Sequence, residues 1–141
     1  MTGLQMLGIA RQIGNFYTSM SQPICKQYGL NQTEFDVILF CANNPEQNTA
    51  RDLCRLRGIK TAMASIAVDH LIVRGLLTRQ PDPTDKRIRR LIPTEQAADL
   101  IRDGQQMQQR FAAALHRGIS PEDLATFAAV LETISNNTKG M

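Results

Sequence analysis

The sequence lacks any long hydrophobic run. No stretch approaches the ~18–20 apolar residues of a membrane-spanning helix. Its start, Met1 to Ala10, has no basic segment leading into a long apolar stretch, so no secretory signal is expected. Cysteine is scarce: Cys25, Cys41 and Cys54 make three, an odd number and too few for a disulfide framework. Together these absences predict a cytoplasmic protein. His70 and His116 stand 46 residues apart, and no Cys or His pair has metal-ligand spacing. Gly3, Gly8 and Gly14 form no phosphate-binding motif, and no nucleophile–base set is present. The expectation is therefore no enzyme, no metal and no cofactor.

What is present is an ordinary globular composition. The chain has 141 residues, 43% of them hydrophobic and 21% charged. That suits one domain spanning 1–141 with a real core. The net charge is only +3, but it is unevenly placed. Residues 51–90 hold ten Lys/Arg against four acids, a net +6, and the remainder is −3. A basic centre between acidic flanks points to a surface that meets a polyanion, the alternative being a solvated charged face.

The periodicity predicts six helices and a hairpin. Leu4, Leu7, Ala10, Ile13, Phe16, Tyr17, Met20 and Ile24 recur at helical spacing over 4–28, with Pro23 expected to kink the helix or break its last turn. A second helix starts at Asn31, whose spacing to Glu34 is that of a capping box. A third is capped by Thr49 and ends at Arg57. Gly58 permits a tight turn into a fourth, which runs to Arg74 and buries Ala64, Ala67, Val68 and Leu71. Leu76–Gln80 and Arg87–Ile92 read as strands around a loop of turn formers. A fifth helix opens near Thr94, and a sixth at Ser120-Pro121, burying Leu124, Phe127, Ala128, Leu131 and Ile134 before a frayed tail over Asn136–Met141. The fold class is mainly α with a small β-hairpin. Two short helices, a tight turn and a basic hairpin describe a winged helix-turn-helix.

The residues of this segment resemble the MarR family of bacterial transcription regulators. The resemblance is carried by Thr49-Ala50-Arg51-Asp52-Leu53, Gly58-Ile59, Asp69-His70-Leu71, Arg74-Gly75-Leu76-Leu77, and above all Asp85-Lys86-Arg87 followed by Ile88 to Thr94. Pro93 stands where the family usually has Leu, and His70 where it often has Arg. The resemblance implies a winged-helix lobe at 30–93 and dimerisation helices at 1–29 and 94–141. It implies a homodimer on double-stranded DNA, acting as a repressor at a pseudo-palindromic operator. A small aromatic or phenolic effector would bind between the dimer helices and the DNA lobe; the candidate residues are Arg11, Tyr17, Met20 and Phe35.

On that reading Arg87 of the wing enters the minor groove, whose narrowness concentrates negative potential. Asp85 holds its guanidinium, and Lys86 and Arg89 flank it. Lys60, Thr61, Ala62, Met63, Ser65 and Ile66 form the exposed face of the fourth helix. Thr61 and Ser65 suit bases or phosphates, and Ala62 and Met63 suit thymine methyls. Met63 and Ile66 equally suit packing against neighbouring helices. Arg51, Arg55 and Arg57 are expected on phosphates. Two other readings stay open: a protein-interaction module that has lost DNA binding, and a redox regulator. Some members of the family sense peroxide through a cysteine early in the first helix, a place that falls near Ile9 here. Cys25, next to Lys26, is the best remaining thiol, and Cys41 and Cys54 read as small hydrophobes.

Overall fold

The computed structural model describes residues 1–140; Met141, the end of the expected frayed tail, lies outside them. Among the described residues the order is α1 (Gly3–Tyr28), α2 (Gln32–Asn43), α3 (Ala50–Arg57), α4 (Thr61–Val73), β1 (Leu77–Pro81), β2 (Arg89–Pro93), a single 3₁₀ turn (Glu95–Ala97), α5 (Ala98–His116) and α6 (Pro121–Thr138). The chain forms two compact units, residues 1–108 and residues from 109 on, so the division falls inside α5 and not at its start.

Local chemistry fixes the helix starts. Asn31 and Glu34 form the expected capping box on α2, and Thr49 with Asp52 forms another on α3. Thr2 and Gln5 cap α1 in the same way. Ser120 accepts the Asp123 amide at the start of α6, with Pro121 in the first turn. Thr94 does not cap: its hydroxyl donates to the Gly75 carbonyl at 2.6 Å, tying the end of β2 to the turn after α4. A 3₁₀ turn therefore precedes α5. Pro23 sits inside an unbroken α1, and α6 runs on to Thr138, so the expected break and the expected fraying from Asn136 are both corrected.

In residues 1–108 the core is built on α2. Phe35, Val37, Ile38, Leu39 and Cys41 are buried there, against Leu53 of α3, Ala64, Val68 and Leu71 of α4, and Leu100 and Met107 of α5. Burying each large aliphatic side chain is worth ~1.5–3 kcal/mol. The hairpin pairs antiparallel from Leu77 opposite Pro93 to Pro81 opposite Arg89, and its buried Leu77 and Leu91 anchor it to that core. In the unit from 109 on, α6 buries no residue within the chain. Leu124 and Ile134 are half-buried, while Ala128, Phe127 and Leu131 are exposed, which corrects the expected buried stripe.

Candidate nucleic-acid interface

The surface in question starts from a turn. Gly58 ends α3 with φ +76°, a left-handed conformation that favours glycine, and the chain re-enters helix at Thr61. This turn sets α4 beside α3. Ala64, Ala67, Val68 and Leu71 face inward. Thr61, Ala62, Met63, Ser65, Ile66 and Asp69 face outward. Met63 is 49% and Ile66 58% exposed, so each keeps about half of its surface free in the folded chain.

The wing is held by one carboxylate. Asp82, at the end of β1, accepts the amides of Thr84 and Asp85, the Thr84 hydroxyl at 2.7 Å and the Arg90 Nε at 3.0 Å. These donors hold its carboxyl well below the usual carboxylate range, the Thr84 hydroxyl most strongly. Arg90 also donates to the Glu46 carbonyl and to Asn48, fastening the hairpin to the α2–α3 loop. At the tip, Asp85 accepts Arg87 through both Nε and Nη2 at 3.1 Å, and accepts the Arg87 amide as well. The pairing lowers the Asp85 carboxyl and raises the Arg87 guanidinium. The Arg87 side chain is otherwise in solvent, 90% exposed.

Several expected site residues converge. Arg51, Arg87 and Arg89 line one open depression of about 520 Å³ between the start of α3 and the wing. Arg51 also lines a groove of about 420 Å³ with Thr61, Ser65 and Arg79. Lys60 and Lys86 are exposed nearby in sequence, and Arg55 pairs with Asp52 at 3.3 Å while remaining largely exposed. Asp69 on α4 is matched by Arg79 at 3.0 Å.

Three cations of the basic segment are turned elsewhere. Arg57, expected on a phosphate, pairs with the half-buried Asp36 at 3.4 Å and lies over the Tyr17 ring, 6.0 Å from its centroid. Arg74 donates to the Tyr28 and Gly29 carbonyls at the end of α1, and Arg90 holds the wing base. No motif signals these roles. Each depends on an acceptor that the fold supplies from elsewhere in the chain. Asp82 was readable in principle, because Asp-Pro-Thr is a turn sequence whose carboxylate bonds its own following amides.

The expected effector residues divide. Tyr17 and Met20 are half-buried on α1, and Arg11 is exposed. The Tyr17 hydroxyl accepts Gln108 Nε2 at 2.9 Å, and burial raises its pKa. Phe35 is wholly buried, its ring 6.5 Å from that of Tyr17. It is a core residue with no exposed surface for a ligand, while Arg57 meets the Tyr17 ring as well. The thiol expectation is also corrected: Cys25 is buried, and desolvation raises its pKa, the opposite of a reactive thiolate. Burial pushes Cys41 up to about 12, as suits a small hydrophobe. Cys54 is half-exposed and lines the groove beside Arg51.

A winged helix-turn-helix with a cationic wing is thus in place, and residues 28–88 match the family model described as MarR family. The likeness to the MarR family covers this winged-helix segment, less than half of the chain. Solved structures of similar fold extend the likeness over the flanking helices. The transcriptional regulator PA3341 is 22% identical, covers 99% of this chain and 98% of its own, and superposes with a TM-score of 0.84. A MarR-family transcriptional regulator from Listeria monocytogenes, complexed with 26mer DNA, is 19% identical over 97% of this chain and 89% of its own, TM-score 0.77. BpsR from Bordetella bronchiseptica, whose DNA binding is regulated by 6-hydroxynicotinic acid, is 18% identical over 93% and 98%, TM-score 0.69. At these identities the structures establish a shared fold. Among the described residues no helix is long and apolar enough to cross a membrane.

Proposed function

We propose that this protein is a DNA-binding transcription regulator of the MarR family: a cytoplasmic, homodimeric, ligand-responsive repressor acting on a pseudo-palindromic operator. The observation that carries the DNA-binding face is the meeting of Arg51, Arg87 and Arg89 around one depression beside the exposed face of α4. A helix of this kind enters the major groove while the wing reaches the adjoining minor groove. Lys60, Arg55 and Lys86 add phosphate contacts that position the protein.

Dimerisation is supported by apolar surface that the chain does not cover. Leu4 and Leu7 of α1 are 81% and 68% exposed, and Phe127 and Leu131 of α6 are exposed as well. Exposed apolar residues at helical spacing, present on each of these two helices, are what an obligate interface supplies. A two-fold dimer presents two wings and two recognition helices, hence the paired half-sites. The effector reading rests on Tyr17, Met20 and Arg11, with Arg57 over the Tyr17 ring. A guanidinium over a phenol ring suits a small aromatic or phenolic anion. Such a ligand, preferring one arrangement of the helices, would shift the population away from the DNA-competent one.

The test is enrichment of a random duplex pool on the intact protein, followed by footprinting of the enriched sequence. The reading expects protected, two-fold related half-sites. Failure to enrich any duplex would contradict it and favour a protein-interaction role.

A further inference from the structure

We infer that the recognition helix reads its operator chiefly through C5-methyl groups in the major groove, with Met63 and Ile66 as the specificity-determining residues. The inference rests on the DNA-binding reading and concerns what that face recognises.

Direct reading of guanine or adenine normally uses the paired donors of Arg or Lys, or the amide of Asn or Gln. From Thr61 to Val73, α4 contains none of these four residue types. Its polar residues are Thr61, Ser65, Asp69 and His70. Asp69 is matched by Arg79, and His70 Nδ1 lies 3.4 Å from Glu34 on α2. Within α4 two hydroxyls therefore remain for hydrogen bonding to base edges, with Lys60 at the N-cap just outside it. Exposed beside them stand Ala62, Met63 and Ile66.

Packing does not explain the two large side chains, since Met63 and Ile66 are about half exposed in the folded chain. Nor does the surrounding surface suit an apolar protein partner. Thr61 and Ser65 of the same helix share a groove with Arg51 and Arg79, Arg51 shares a second depression with Arg87 and Arg89, and Lys60 directly precedes the helix, so cations complementary to phosphates lie on the α3 and wing side of the face. An apolar strip with cations beside it fits one surface well, the floor of a major groove lined with methyl groups and flanked by phosphate backbones. Met is unbranched and adapts to such a floor, while the branched Ile presents a rigid one. Thymine carries that methyl, and 5-methylcytosine carries it at the same place in the groove. The helix should therefore score the methyl more than the hydrogen-bonding edge beside it.

The experiment uses the intact protein and a duplex enriched from a random pool. Each thymine beneath the recognition helix is replaced in turn by uracil, which removes the methyl and leaves the pairing edge. Affinity is expected to fall about 4-fold at each contacted thymine, the worth of one buried CH₂-sized group. Met63→Ala and Ile66→Ala should each abolish the uracil effect at its own position. Met63→Leu should retain it. Both positions are exposed, so folding is preserved, and circular dichroism of each variant checks this. In a second arm a sensitive T·A pair becomes C·G and then 5-methylC·G. The methyl should restore binding by about 4-fold although the donor–acceptor pattern has changed. Uracil tolerance at every position, or full uracil sensitivity in both alanine variants, would overturn the inference while leaving DNA binding intact. A pool that yields no enriched duplex would overturn the DNA-binding reading and this inference with it.

Discussion

Asp82 shows how much one side chain decides at the wing. Four donors converge on it, and Arg90 relays its position to the Glu46 carbonyl and Asn48. Its carboxyl is lowered on folding, so the stabilisation is full above the unfolded value of about 3.9 and is lost as pH falls through the lower folded value. The melting temperature of the wild type should therefore exceed that of Asp82→Asn by a constant margin between about pH 5 and 8. The margin should shrink only in stronger acid. A margin that shrinks between pH 8 and 6 would contradict this. Arg87 is the complementary case, held at its base and open at its tip. Arg87→Ala should cost about 1–3 kcal/mol of operator binding. Arg102→Ala, which removes a partner of Asp99 on α5, should cost nothing in the same gel-shift titration. Arg57→Ala should resemble Arg102→Ala in DNA affinity, because its guanidinium is engaged by Asp36 and Tyr17. The capping pairs at Asn31 and Thr49 were legible in the sequence because both members lie three residues apart. The partners of Arg57, Arg74 and Arg90 were not, because each is brought close only by the fold.

The same contrast holds for whole elements. The order and type of every helix followed from apolar spacing and caps, and the inward face of α4 was identified residue by residue. The sequence could not choose between groove contact and packing for Met63 and Ile66, since that depends on whether another helix covers them; in the folded chain none does. Nor does spacing reveal why α5 carries Gly104 in mid-helix, where glycine is unfavourable by about 1 kcal/mol. The structure supplies the reason: a Cβ there would stand 2.9 Å from Leu39 Cδ1 in the buried core. The glycine lets α5 lie close against α2. Gly104→Ala should therefore destabilise by about 1–3 kcal/mol, offset by up to ~1 kcal/mol of helix propensity. Urea denaturation measures the balance, and a net gain in stability would contradict the close approach. Ile38→Ala, which opens a cavity in the same core, should cost more, about 2–5 kcal/mol.

For the whole molecule, the chain leaves apolar stripes on α1 and α6 without burying them, and it gathers its positive charge on the DNA lobe. The first feature predicts that light scattering at micromolar concentration finds a dimer. Removing residues 119–141 should give monomer or aggregate. The second sets the source of affinity. Although residues 51–90 carry a net +6, three of their ten cations are committed inside the fold, at Arg57, Arg74 and Arg90, and a fourth, Arg79, pairs with Asp69. Arg51, Arg55, Lys60, Lys86, Arg87 and Arg89 remain on the exposed side. A two-fold dimer would then reach roughly 6–10 phosphates. Composition alone signalled the polyanion-facing surface, whereas only the fold separates the cations that hold the lobe together from those that face outward. The most direct measurement is the affinity of the protein for its enriched duplex as salt rises from 50 to 200 mM. The account expects a fall of ~10³–10⁵-fold, with log affinity linear in log salt and a shallower slope for Arg51→Ala and Arg89→Ala. A flat salt dependence, or an unchanged slope in both variants, would contradict it.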